Sequence, residues 1–414
     1  MAVKKRKTRK DKHEEIRESD IVGLKYFGLL TPLLARLHED GCERDTAGNR
    51  ELHYDQYCML VLLFMFNPVV SSLRAIQQAS ELKKVQKKLG CSRASLGSLS
   101  ESSRVFNPEL LRGVIEELGQ QLQPVARDKR LSDVPHTLTA IDGTLLDALP
   151  LLAEAMLLTH EKGSGLVKWR LHTQFEIENY VPTRVDVTRN GGGELDERAV
   201  LARTLEPDRC YVKDRGYAKF TLFNDIHAIG SSYVCRVRDN SSYQVSEDRP
   251  LSEEAQAAGV LQDALVELGS SSKADARPDH PIRLITISTT PHVKRSKYKG
   301  GSTGPGSDGV LRIATDMLDV PPEIIALIYQ YRWTIEIFFR FFKHILGCRH
   351  LISHSANGIE IQVYCAIIAC MLISLWTGRK PTKRTYEMIC YFFTGLADEE
   401  ELLAHIAKLK SHDA

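Results

Sequence analysis

Between Ile324 and Leu346, nine apolar side chains recur at helical spacing: Ile324, Leu327, Ile328, Ile335, Phe338, Phe339, Phe342, Ile345 and Leu346. A helix with such a flank has to be buried along it. The opposite edge carries Tyr329, Arg332, Glu336 and Lys343, spaced Tyr-x2-Arg-x3-Glu-x6-Lys. At about 100° per residue the four fall within an arc of roughly 60°. The fold must therefore bury one flank while keeping a carboxylate, two cations and a phenol in line on the other. A solvated face with an i,i+4 Arg332–Glu336 pair, worth a few tenths of a kcal/mol, would satisfy that pattern. So would a site in which the carboxylate holds a divalent metal and the cations hold phosphates, as phosphodiester chemistry requires.

Two further segments favour the second reading. HTLTAIDGTLLDALP reads as an apolar strand, Thr137 to Ile141, ending on Asp142 and Gly143. DRCYVKDRGYAKFTLF reads as a short strand, Cys210 to Lys213, ending on Asp214 and opening into a helix after Gly216. Carboxylates at the exits of two adjacent strands, with a third on a facing helix, would converge as in a two-metal site, whose ions sit roughly 3.5–4 Å apart. Asp147 competes with Asp142, but Gly143 permits close backbone approach and favours the earlier residue. Glu194, Asp196 and Glu197 could supply a further ligand, although acids are favoured at a helix N-terminus in any case.

With Asp142 in AIDGT, Asp214 in DRGY and the signature ending at Lys343, the chain resembles the DDE transposases of the insertion-sequence-four family over roughly residues 130–380. The resemblance implies that Asp142, Asp214 and Glu336 form a catalytic triad holding two magnesium or manganese ions. It implies that Tyr329, Arg332 and Lys343 contact transposon-end DNA. Terminal inverted repeats and target DNA would be the partners, bridged by a dimer in the DNA-bound complex, in the bacterial cytoplasm near the nucleoid. Some relatives hold a flipped base with a tryptophan in the insertion; no Trp lies between residues 170 and 332 here. Tyr243 or Tyr298 could stack a base instead.

Composition sets bounds. The chain has 414 residues, enough for two or three domains, with 55 Lys and Arg against 53 acids and a net charge of only +2. A DNA-binding chain so balanced must concentrate its basic residues locally. The nine cysteines are scattered and lack a CxxC pair, as expected for reduced thiols rather than a disulfide framework or a zinc site. The hydrophilic N-terminus shows no secretory signal. The apolar runs Met59–Phe66 and Val363–Trp376 are too short to span a bilayer and read as core helices, so no membrane partner is expected.

Along the chain, residues 1–19 read as a disordered basic arm, able to track phosphates or merely solubilising. Residues 20–130 read as a helical domain, with helices over Tyr54–Phe66, Leu73–Gln86 and Pro108–Gln121; the resemblance assigns it end recognition. Its Lys83, Lys84, Lys87 and Lys88 cluster suits DNA or a solvated helix face equally. Residues 131–240 and 309–380 read as an α/β, ribonuclease-H-like catalytic core, with strands Trp169–Phe175, Val181–Val187 and Tyr233–Val237 and a helix Glu194–Leu205. The 122 positions from Asp214 to Glu336 require an inserted subdomain, placed at 241–308. It holds strand-like Tyr243–Val245 and Ile282–Ser288 and a helix over Glu253–Leu268, and the resemblance makes it mainly β. Within it, Lys294, Arg295 and Lys297 surround Tyr298 ahead of a Gly-rich loop, a combination that suits a DNA end or a solvated surface loop. Asp319 to Pro322 starts the signature helix, which should run to about Leu346. Residues 381–414 read as a helical tail.

The function expected is cleavage at transposon ends and joining of the 3′-hydroxyls to target DNA. A catalytically silent DNA-binding descendant and a structure-directed nuclease are the alternatives.

Overall fold

The run YDQYCMLVLLFMF is apolar on every side, so a helix built from it belongs in the middle of a protein. A computed structural model places it there, and describes residues 25–40, 51–122, 128–148, 167–269, 277–289, 309–345 and 351–411. The first helices are α1 (Lys25–Ala35), α2 (Leu37–Asp40), α3 (Tyr54–Phe66), α4 (Leu73–Ser80), α5 (Lys83–Leu89), α6 (Leu96–Val105) and α7 (Glu109–Gln121). The expected helix from Leu73 to Gln86 is two, α4 and α5, parted at Glu81 and Leu82.

Strands β1 (Thr137–Ala148), β2 (Val167–Glu176) and β3 (Val181–Arg189) form an antiparallel meander. Helix α8 (Glu197–Ala202), strand β4 (Arg209–Lys213), helix α9 (Phe220–Ala228) and strand β5 (Ser232–Arg236) follow, and β1, β4 and β5 are mutually parallel. The segment expected to be one helix from Glu194 is a 3-10 turn, Gly193–Leu195, followed by α8, whose Asp196 caps it by accepting from Arg198 N–H.

Beyond β5 come β6 (Tyr243–Asp248), α10 (Glu253–Ala257), β7 (Val260–Leu268), β8 (Ile282–Ser288) and β9 (Val310–Thr315). The helix expected over Glu253–Leu268 stops at Ala257; the rest is β7, held on both edges by β6 and β8. Strand β9 pairs with β5 on one side and β8 on the other, so the described strands make one mixed sheet of nine, in the order β3-β2-β1-β4-β5-β9-β8-β7-β6. The architecture is mixed α/β.

The helix expected from Pro322 to Leu346 is broken into α11 (Pro322–Tyr331) and α12 (Trp333–Ile345). Arg332 at the break stays in the right-handed region, and Arg332 N–H and Ile335 N–H bond three residues back, to Tyr329 and Arg332. A tightened turn, not a proline, makes the joint. The apolar flank is buried as expected: Ile335, Phe338 and Phe342 are at most 2 % exposed, and Phe338 packs 5.0 Å from the Phe175 ring of β2. Each such ring contributes roughly 1.5–3 kcal/mol. Helix α12 thereby lies against β1.

Three helices finish the described chain: α13 (Ala356–Thr377), α14 (Lys383–Thr394) and α15 (Glu399–Ser411). At 22 residues, α13 is long and apolar enough to cross a membrane, which overturns the length argument made from its shorter apolar run. Its apolar surface is instead taken up by α3, α6, α7 and β3, so N-terminal and C-terminal helices share one core. Cys58, Cys210, Cys235 and Cys365 are buried as free thiols.

Candidate active site

Asp142 is not at a strand exit. Strand β1 runs six residues beyond it, and Asp142 and Gly143 pair with Thr173 and His172 of β2. What opens the site is the shorter neighbour, since β4 pairs with β1 only as far as Ala140–Val212 and ends at Lys213. Continued two residues, that register sets Asp142 level with Asp214 on strands about 4.8 Å apart, with both side chains on one face. Both carboxylates are locally fixed. Asp142 Oδ1 accepts from Gly143 N–H at 2.8 Å, and Asp214 Oδ1 accepts from Gly216 N–H at 2.7 Å, capping the 3-10 turn Arg215–Tyr217. Gly143 is required for a different reason from the one its position suggested. A Cβ there would stand 2.6 Å from Glu197 Oε1, so the glycine makes room for a carboxylate of this chain.

Glu336 comes from the first turn of α12, where a carboxylate is favoured by the helix dipole. Arg332 Nη2 donates to Glu336 Oε1 at 2.7 Å, and Arg332 is only 8 % exposed. Its guanidinium lies 5.9 Å from the Tyr329 ring centroid and 5.3 Å from that of Trp333. Its Nε has no hydrogen-bond partner among the described residues. Arg332 therefore faces the carboxylates rather than an outer surface.

These groups share one electrostatic field. Burial pushes Asp142 up to about 6, with the Gly143 N–H and Arg332 pulling down and Asp214 and Glu336 adding to the rise. Burial also raises the Tyr329 phenol, against Arg332 and Arg236 and with Cys235 and Asp214. Burial alone would lower Arg332, yet Tyr329, Glu336 and Asp142 hold it above its ordinary value. Asp142, Asp214 and Glu336 share this field, and only Glu336 among them is hydrogen-bonded to Arg332. An all-oxygen donor set of that kind fits a hard cation such as magnesium or manganese.

Of the residues singled out by sequence, Asp142, Asp214, Tyr329, Arg332 and Glu336 are brought into this field. Lys343 is partly buried on α12, two helical turns beyond Glu336 and so about 10 Å further along the axis. Lys294, Arg295, Lys297 and Tyr298 lie outside the described residues, as does the side chain of Asp147. Tyr217 is 2 % exposed and packs in the core.

Two residues that the sequence did not reveal stand at the margin. Arg170 of β2 pairs with Glu197, the carboxylate lying against Gly143, and also donates to Asn190 Oδ1 at 2.9 Å. Arg236, 9 % exposed at the end of β5, acts on Tyr329 and reaches Asp239 at 3.4 Å. Neither carries a spacing signal, because strand pairing alone brings them near.

The family model described as "Transposase DDE domain" matches residues 134–372, which takes in all three carboxylates and the four-residue signature. A protein of Sinorhizobium fredii described as the transposase y4zB is 25 % identical over 216 residues, 52 % of this chain and 55 % of that one. A protein of Geobacillus stearothermophilus described as the transposase of insertion sequence element IS5377 is 24 % identical over 232 residues, 55 % of each. The chain spans about half the length of these curated relatives. Among solved structures, a piggyBac transposase synaptic complex with hairpin DNA is similar with a TM-score of 0.41 and 12 % identity, over 93 % of this chain and 84 % of that one.

Proposed function

Since the chain belongs to the transposase DDE domain family, we propose that it is a DNA transposase, cutting phosphodiester bonds at the ends of its element and joining the freed 3′-hydroxyls to target DNA. The observation that carries this reading is the single field shared by Asp142, Asp214 and Glu336 around buried Arg332. In it, Asp142, Asp214 and Glu336 are the metal ligands. Two divalent ions, when bound, supply activation of the attacking oxygen and stabilisation of the leaving one.

The remaining steps belong to the chain's own residues. Asp142, pushed up to about 6 by burial, is mainly carboxylate at neutral pH, and its Oδ1 stays aimed by the Gly143 N–H. Arg332 fixes the Glu336 carboxylate while offsetting charge beside it. Lys343, further along α12, holds a phosphate of the element end, and the basic segment around Tyr298 contacts the same DNA.

The order β3-β2-β1-β4-β5, antiparallel then parallel, supports a ribonuclease-H-like core over this part of the sheet. Strands β6 to β8 would be the insertion, and the N-terminal helices would recognise the ends. The working form would be a dimer bridging two ends on double-stranded DNA, in the bacterial cytoplasm.

The test incubates wild type and Glu336→Gln with a labelled duplex carrying the element's terminal repeat, with and without magnesium. Cleavage and joining by wild type alone, and only with metal, is expected, with at least a thousandfold loss in the variant by analogy with other removed catalytic groups. Binding without cleavage in both would leave a silent DNA-binding protein. Cut but never joined products would leave a nuclease.

A further inference from the structure

Among the described residues, the His, Cys, Asp and Glu ligand atoms that all lie within 4.8 Å of one another belong not to the carboxylates above but to His227, His280 and Asp316. His227 is in the last turn of α9, His280 shortly precedes β8, and Asp316 follows β9. The trio is set level with Tyr233, which pairs with Tyr211, three residues short of Asp214. At about 3.3 Å per residue it lies on the order of 10 Å from the candidate active site along the strands.

The three side chains stand close enough to share one cation once the His227 ring turns. Asp316 is only 3 % exposed at its side chain; Oδ1 accepts from Tyr233 N–H at 3.0 Å, and Oδ2 lies 3.0 Å from His227 Nδ1. The His280 side chain is 3 % exposed, with Nδ1 3.0 Å from Asp279 Oδ1 and Nε2 3.0 Å from the Tyr233 hydroxyl. With the proton held on Nδ1 by the Asp279 carboxylate, an arrangement that also orients metal-binding histidines, Nε2 accepts from the Tyr233 hydroxyl, and a cation would take that hydroxyl's place. His227, half exposed, closes the set from the solvent side.

We infer that His227, His280 and Asp316 bind one zinc-class divalent cation, with water as fourth ligand, as a structural clip independent of the magnesium-type site. Two imidazoles and one carboxylate select zinc, cobalt or nickel over magnesium. Bond lengths of about 2.0–2.1 Å in a tetrahedron set ligand atoms about 3.3 Å apart, within reach of the separations present. The two rings stack at 4.3 Å with planes 13° apart, so a cation in one plane lies outside the other. Binding therefore turns the exposed His227 ring out of the stack. The clip would tie α9, which follows the Asp214 strand, to the start of β8 and the end of β9.

The test uses untagged, metal-stripped full-length protein, titrated with Co2+ in excess Mg2+. One equivalent should give the visible bands of four-coordinate cobalt, without near-ultraviolet thiolate bands, and zinc should displace it and raise the melting temperature. His227→Ala should weaken cobalt binding at least tenfold while keeping the metal-free melting temperature. Asp142→Asn combined with Glu336→Gln should leave cobalt binding unchanged. Absent bands in wild type, thiolate bands, bands that persist in His227→Ala, or bands lost in the double variant would each overturn the inference.

Discussion

Two of the places where this sheet buries charge do so in opposite ways. In the β7–β8 pair, Arg283 and Asp263 are 2 % and 3 % exposed at their side chains and meet through two hydrogen bonds of 2.7 Å. Nη1 of Arg283 donates to the carbonyls of Met317, Leu318 and Val320, the loop that leads into α11. Around Asp142 the matching is incomplete: of three carboxylates only Glu336 is paired with Arg332, and Arg332 Nε has no hydrogen-bond partner among the described residues. A saturated pair fixes geometry, here the approach to α11, which carries Tyr329 and leads through Arg332 into the helix of Glu336. An unsaturated cluster leaves charge that no described side chain fully matches. The difference separates charge matched within the sheet from charge left partly matched among the described residues.

The largest effect expected from breaking this contrast is at the saturated pair. Asp263→Asn leaves a buried guanidinium half matched and should cost about 3–5 kcal/mol of folding stability. Asp263→Leu with Arg283→Met should recover much of that loss, short of the three carbonyls left without a donor. Urea unfolding of the three proteins checks it. A cost below about 1 kcal/mol for the single variant would mean that solvent reaches the pair.

The opposite sign is expected at the unsaturated cluster. Asp142 has a folded-state pKa of about 6 against 3.8, so ionising it opposes folding. The penalty is absent below about pH 4, where the carboxyl is protonated in both states. It grows as pH rises through the interval and is complete above about pH 6. The shift corresponds to at most about 3 kcal/mol, and solvent relaxation around a partly exposed group brings it to roughly 1–2. Asp142→Asn, which still accepts from the Gly143 N–H, should therefore melt higher than wild type at about pH 8 in chelator, and equally at about pH 4. A lower melting point at pH 8 would show that the carboxylate charge is already balanced and remove the electrostatic support for a cation there.

How legible these two regions were differs for the same reason. The carboxylates and the signature stand out in the sequence because each belongs to a helical or strand-like pattern that is complete within a short run. Yet Gly143 reads as the end of a strand in the sequence, whereas it carries β1 onward opposite His172. The single helix expected through Arg332 is two, and no glycine or proline announces the joint. VLQDALVEL satisfies helical spacing as well as strand alternation, and only pairing with β6 and β8 decides for the strand. Asp263 and Arg283 carry no periodic signal at all, because their meeting depends on the register of β7 against β8. Local pattern reveals what a helix face needs; sheet register has to be seen.

The smallest effect tests where the field of the cluster ends. Lys343 is on the same helix as Glu336 but about 10 Å further along, close to the screening length of physiological salt. A lysine there would act on a DNA phosphate as a single contact and leave the Asp142 field nearly untouched. Lys343→Ala should then weaken binding to the terminal repeat by roughly tenfold or less, and reduce the slope of log affinity against log salt by about one. Titrations at several salt concentrations separate that from misfolding, which would lower binding without a one-charge change in slope. An unchanged slope would confine the DNA-facing part of the signature to the residues around Arg332.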